Sequence, residues 1–263
     1  MNVSSSSRAA LLSAVACLSL TACKKDPTPA ELEAAKAQEV TALKLAKGNE
    51  LYRAQDYAGA AAALQEALAL DPNQPQAVWD KTSFSWKKAG KLDLAGETLV
   101  KAAATRTKPE EKLANLRNGA GMYLEGRILD KAEETFVEVL KLDPKDADAL
   151  AWVGEIYAQR GGARKGDAPV VEAQLDKALE IYERLIALAP AAPMNYVNKR
   201  IALTKLANHY TQLVDKLADP AEKAKAQEKL AKLKATLEET SAKMTEVIKA
   251  AKAAQGGAGA PAK

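Results

Sequence analysis

The chain has 263 residues, 38 Lys or Arg against 34 Asp or Glu, and a formal net charge of +4. Two cysteines and one histidine are too few for a disulfide framework or a multi-ligand His/Cys metal centre. Ala, Leu, Lys and Glu are abundant, aromatics make up only 5%, and no strand-like alternation stands out, so the composition predicts an all-α protein.

The first element is N-terminal. A polar stretch whose only charge is Arg8 leads into small and aliphatic residues from Ala9 to Leu20, then Ala22-Cys23. This is the layout of a secretory signal peptide, and at about a dozen apolar residues it is too short to span a bilayer. Residues 1–22 are therefore expected to be removed. The quartet Leu20-Thr21-Ala22-Cys23 resembles the lipobox of bacterial lipoproteins, which implies that the Cys23 thiol takes a diacylglyceryl group and becomes the new N-terminus. The plainer alternative is cleavage after Ala22 that leaves an idle thiol. Cys17 falls in the discarded part, so lipidation leaves no thiol in the folded body for a disulfide, a nucleophile or a metal. At about 0.8 kcal/mol per buried methylene, several acyl chains such as palmitate hold a protein to a membrane. Lys24, where an inner-membrane retention signal has aspartate, implies the outer membrane, facing the periplasm.

Residues 23–40 are expected to form a lipid-anchored linker and lead-in helix. A ladder follows from Gly48: Leu51 three later, Ala60 twelve later, then Leu64, Ala67 and Pro72. The ladder recurs from Ser83 (Trp86, Ala95, Leu99, Ala102), from Ala120 (Tyr123, Ala132, Phe136, Val139, Pro144) and from Gly154 (Tyr157, Ala178, Tyr182, Leu185, Pro190). Small residues let two helix axes approach while large ones fill the space between them. Proline after Asp71, Asp143 and Ala189 stops the second helix of a pair. Each unit is thus a helical hairpin that cannot bury its own face.

In this order of small residue, aromatic, Ala, aromatic and Pro, the sequence resembles the tetratricopeptide repeat family. Four units are placed at 41–74, 76–109, 113–146 and 147–192, the last with an insert near 162–173. Trp79, Leu116 and Leu150 fill the slot four before the small residue, whereas Lys44 departs from it. The second unit has Thr107 where the others have proline, and takes its break from Pro109.

Residues 194–253 read as a degenerate fifth hairpin and a long capping helix. Leu203, Leu206, Tyr210, Leu213 and Leu217 form one stripe, and Asp219-Pro220 ends that helix. Leu230, Leu233, Leu237, Met244, Ile248 and Ala251 form a second stripe on a helix whose reverse is rich in lysine. That polar reverse suits a solenoid cap; the alternative is a coiled-coil arm for dimerisation. Residues 254–263 read as a disordered tail. The region 194–263 carries 13 Lys or Arg against 7 Asp or Glu, but export argues against nucleic acid as its partner.

Little chemistry is legible. His209 stands without a ligand or triad partner at useful spacing, no acid–base dyad emerges, and no cofactor motif is present. The insert "RGGARKGDAPVV" reads as a solvated loop or, alternatively, a contact site made basic by Arg160, Arg164 and Lys165, with Asp167 as N-cap and Pro169 in the first turn of a lengthened helix. The family resemblance implies that the first helix of each hairpin lines a groove, here with Asn49, Tyr52, Arg53, Asp80, Phe84, Lys87, Arg117, Asn118 and Leu124. Its carboxylate clamp is matched only by Asn49, since Leu45 and Ala114 stand where lysines are expected. The function so implied is a non-enzymatic envelope scaffold that binds proteins. On architecture alone it resembles secretin pilotins and the repeat lipoprotein of the outer-membrane β-barrel assembly machine; the alternative is an envelope solute-binding protein or an enzyme accessory subunit.

Overall fold

A computed structural model describes residues 28–164 and 168–257. The signal-peptide segment, Cys23, Lys24, Lys165, Asp167 and residues 258–263 lie outside the described residues. Among the described residues there are ten α-helices and no strand. They are α1 (Pro29–Arg53), α2 (Tyr57–Leu70), α3 (Gln76–Lys88), α4 (Leu92–Thr105) and α5 (Pro109–Glu125), followed by α6 (Leu129–Leu142), α7 (Ala147–Arg160), α8 (Glu172–Leu188), α9 (Pro193–Lys216) and α10 (Pro220–Gly257). Each packs chiefly on its neighbours in chain order, as a stack of hairpins requires.

The ladder becomes the core. On the even helices Ala60, Ala95, Ala132 and Ala178 are fully buried, as are Leu64, Leu99, Phe136 and Tyr182 one turn later and Ala67, Ala102, Val139 and Leu185 beyond them. A fully buried Leu or Phe contributes roughly 1.5–3 kcal/mol, so these rungs supply most of the driving force. The small residues mark closest approach. A Cβ added at Gly154 would sit 2.8 Å from the Tyr182 ring, and one at Gly48 would sit 2.6 Å from Leu64. Ser83 makes the approach polar by donating to the Ala95 carbonyl at 2.9 Å. The core is continuous from Ala103 through Leu150, Tyr182 and Leu206 to Leu233, whereas α2–α4 hold smaller groups around Trp86 and Trp79.

A second repeat is hidden in the turns. Gln55, Gly90, Arg127 and Gly162 have φ between 57° and 79°, each just after an odd helix. In every case the amide of the left-handed residue bonds back three residues and the next amide bonds back five, the closure of a Schellman turn. In the first three hairpins the even helix starts two residues after the left-handed one; in the fourth it starts only at Glu172. Gly154 to Gly162 is also one residue longer than its counterparts, and Ala178 lies three residues deeper in its helix than Ala60, Ala95 and Ala132 do in theirs. The extra chain is therefore shared between loop and helix ends.

Four expectations need correction. Pro169 is not in the first turn of α8, which begins at Glu172 with Val171 as N-cap. Pro109 does not end the second unit: α4 stops at Thr105, and Pro109 opens α5, where its missing N–H costs nothing. Likewise α9 stops at Lys216, and Asp219-Pro220 starts α10, with the Asp219 carboxylate accepting from the amides of Ala221 and Glu222. The last helix also runs on to Gly257, into the stretch read as tail. At the other end, α1 is one helix through lead-in and first unit, opened by a Thr28–Glu31 capping box. No helix among the described residues is long and apolar enough to cross a membrane.

Candidate functional site

Side-chain contacts tie the odd helices into one face. Lys81 of α3 donates to Asn49 Oδ1 of α1 at 2.7 Å, and Lys87 of α3 meets Glu125 of α5 at 2.6 Å. Gln76 of α3 exchanges two hydrogen bonds with buried Asn115 of α5 and also donates to Asp80 at 2.8 Å. Arg117 of α5 donates to Asp146 at 2.5 Å, whose other oxygen caps α7 through the Ala149 amide.

Of the groove candidates, Asn49, Tyr52 and Phe84 come together. Tyr52, Phe84 and Tyr57, the first residue of α2, form a triangle of rings with centroids 5.7, 6.2 and 6.3 Å apart, two pairs nearly edge-to-face. Lys81 lies 5.4 Å from the Tyr52 ring centre and Lys88 lies 5.3 Å from that of Phe84, both within cation–π range. Phe84 is 41% exposed in spite of these neighbours. Arg53 and Asn118 are exposed beyond the triangle. Asp80, Lys87 and Arg117 are engaged within the fold, and Leu124 is half-buried against the core. The spacing rule that picked odd-helix positions missed Tyr57, Lys81 and Lys88. An aromatic at the first position of an even helix, two residues after the turn, was the available signal for Tyr57.

Further along the same face the insert folds down. Arg164 forks onto Glu155 of α7 (Nε to Oε1 2.9 Å) and reaches Asn198 of α9 at 3.1 Å. Hydrogen bonding to Glu155 raises the guanidinium pKa further. Beneath it the Tyr182 hydroxyl has no hydrogen-bond partner, and burial first, then the Glu155 charge, pushes its pKa well above the usual phenol range. Arg160 is neutralised too, bonding Glu133 and, at 2.5 Å, Asp130. Two of the three cations that made the insert look basic are thus consumed internally. Burial pushes the Glu133 carboxyl up, but hydrogen bonds from Tyr157 and Arg160 outweigh it and hold it below the usual carboxylate range. Among the described residues no group of three or more His, Cys, Asp or Glu is placed to hold a metal ion.

A stack of hairpins with Schellman turns, small-to-large packing between paired helices and a side-chain-lined odd-helix face defines an all-α helical-repeat protein. More specifically, residues 45–112 and 123–163 match the tetratricopeptide repeat model, and the chain carries tetratricopeptide repeats on an all-α solenoid fold. It is 24% identical over 123 residues to the photosystem I assembly protein Ycf3 of Prochlorococcus marinus (strain MIT 9211), covering 46% of this chain and 71% of that protein. A crystal structure of a TPR repeats protein from Bacteroides fragilis NCTC 9343 superposes with a TM-score of 0.52 at 15% identity, over 79% of this chain and 91% of that one. A crystal structure of MamA matches at 21% identity and a TM-score of 0.42, over 78% and 96% of the two chains. Proteins built on such repeats bind other proteins.

Proposed function

We propose that this chain is a lipid-anchored adaptor of the bacterial envelope that holds a protein partner on its odd-helix face and helps a complex assemble, without catalysing a reaction. The observation that carries this reading is the ring triangle of Tyr52, Tyr57 and Phe84, which presents an exposed Phe84 on two half-buried tyrosines between Lys81 and Lys88. Aromatic side chains are the commonest anchors of protein interfaces, because each buries a large apolar area at little cost in rotamer freedom. The flanking ammonium groups favour a partner segment that brings carboxylates beside an apolar side chain.

An assembly role is in keeping with the name of the Prochlorococcus relatives. The envelope setting rests on the leader and on the Leu20-Thr21-Ala22-Cys23 quartet, and the outer-membrane, periplasm-facing placement rests on Lys24. Two experiments test the proposal. A photo-crosslinking residue in place of Phe84 should give a discrete protein adduct in cells that Tyr52→Ala removes; no adduct means the ring triangle is not the working surface. Cys23→Ser should shift the protein out of carbonate-washed membranes, and its retention there would refute the anchor.

A further inference from the structure

A stack of hairpins needs a polar outer face at each end, because no further repeat covers the terminal helices. The two ends differ in this respect. Among the described residues α10 leaves no large hydrophobic side chain exposed, whereas α1 leaves three: Leu32 at 47%, Val40 at 42% and Leu43 at 63%. At about 100° per residue, Leu32 and Leu43 lie opposite Thr41 and Gly48, the buried positions of α1, with Val40 to their side. Gly48 faces Leu64 of α2. Helix α1 therefore carries apolar side chains on two faces, and α2 covers one of them. On the uncovered face Lys36 and Lys47 are balanced by Glu39 and Glu50, all exposed. With no net charge among these four, its contact with another surface is driven by the apolar side chains, while the lysine stems lie along that surface with their ammonium groups in water.

Distance selects what reaches this face. Thr28, the N-cap of α1, comes five residues after Cys23. That length of chain spans at most about 18 Å, so acyl groups on Cys23 hold the start of α1 close to the lipid headgroups. Leu32 and Leu43 are about 16 Å apart along the helix axis, so both meet a flat surface only when the helix lies parallel to it. An upright α1 would carry Leu43 about 22 Å beyond Thr28. The tether also makes the contact intramolecular, with an effective concentration on the order of millimolar, so that three side chains suffice where a free protein would not stay bound.

Resting on the lipid anchor put forward above, we propose that α1 lies along the bilayer surface with Leu32, Val40 and Leu43 in the boundary between headgroups and acyl chains. The open end of the stack is thus covered by lipid, not by a further repeat or a second copy of the chain. Two attachments, the tether and the side of α1, then fix how the repeats are oriented to the membrane.

The test uses the full chain as cells process it, reconstituted in phosphatidylcholine vesicles and carrying a nitrobenzoxadiazole label. Lipidation leaves the wild type without a thiol, so Leu43→Cys takes the label at residue 43 alone, and Lys234→Cys places it at an exposed position of α10 for reference. Spin-labelled acyl chains should quench the label at 43 at least about twofold more than the label at 234. The double substitution Leu32→Glu and Val40→Glu, at exposed positions that the fold does not need, should abolish that difference. Equal quenching at 43 and 234 on vesicles that carry the protein overturns the proposal while the anchor stands, as does quenching that the double substitution leaves unchanged. A label shielded from water but not quenched, together with a doubled mass in sedimentation, gives the face to a second copy and overturns it as well. A wild-type chain that takes the label at Cys23, or fails to float with the vesicles, refutes the anchor and this inference with it.

Discussion

The two ends of the odd-helix face are built on different principles. At the N-terminal end, α2–α4 hold small separate core groups, and exposed Phe84 sits with half-buried Tyr52 and Tyr57 between lysines. At the C-terminal end one core runs from α4 to α10, and the insert is fastened over the face by Arg164, Glu155 and Asn198. The same repeat thus yields an aromatic patch at one end and a polar, insert-covered one at the other. What differs is the handful of residues between the left-handed turn and the even helix.

The largest test of this contrast compares two equivalent small residues. Gly154→Ala forces a methyl group into the buried Tyr182 ring and should cost about 2–3 kcal/mol. Gly48→Ala meets Leu64, a side chain outside the continuous core, and about 1–2 kcal/mol is expected. Urea denaturation of both variants measures the difference; equal losses would mean that the two ends are packed alike.

Next is the charge network under the insert. Glu133→Gln removes a half-buried partner of Arg160 and should cost about 1–3 kcal/mol at neutral pH. The sign with pH follows from its lowered pKa. Its stabilisation is full above the unfolded value near 4.5 and is lost as pH falls through the lower folded value. Stability measured against pH should therefore fall on acidification more steeply for the wild type than for Glu133→Gln, and parallel curves would remove this pair from the account.

Smaller effects are expected at the turns. Gln55 and Arg127 hold left-handed conformations that disfavour a side chain, so Gln55→Gly and Arg127→Gly should each stabilise by about 1 kcal/mol. Gly162→Ala should do the reverse, and thermal melts distinguish the two directions. The smallest change is expected from Phe84→Ala. Being exposed, it should shift stability by no more than about 0.5 kcal/mol in a thermal melt. A large stability loss would mark the ring triangle as structural.

The core was legible because the spacing of small and large residues is the packing itself: every even-helix rung read from Ala60, Ala95, Ala132 and Ala178 is buried. Proline was read less well. It marks both the stop of one helix and the first turn of the next, and only the intervening loop decides which, as at Pro109 and Pro220. The turns went unseen because a left-handed residue is signalled by glycine, and two of the four are Gln55 and Arg127. The insert's docking was invisible for another reason. Arg164 finds Glu155 nine residues back and Asn198 on another hairpin, and no local pattern encodes such a meeting.

The Schellman turn recurring in the four hairpins has a practical consequence. Because each odd helix is closed off before the next segment begins, new chain can be spliced in just past that point without shifting the phase of the stack. Nature has used one of these sockets, after Gly162, and those after Gln55, Gly90 and Arg127 are vacant. A loop of chosen chemistry grafted at Gly90 would overhang the neighbouring rung and so cover a second stretch of wall.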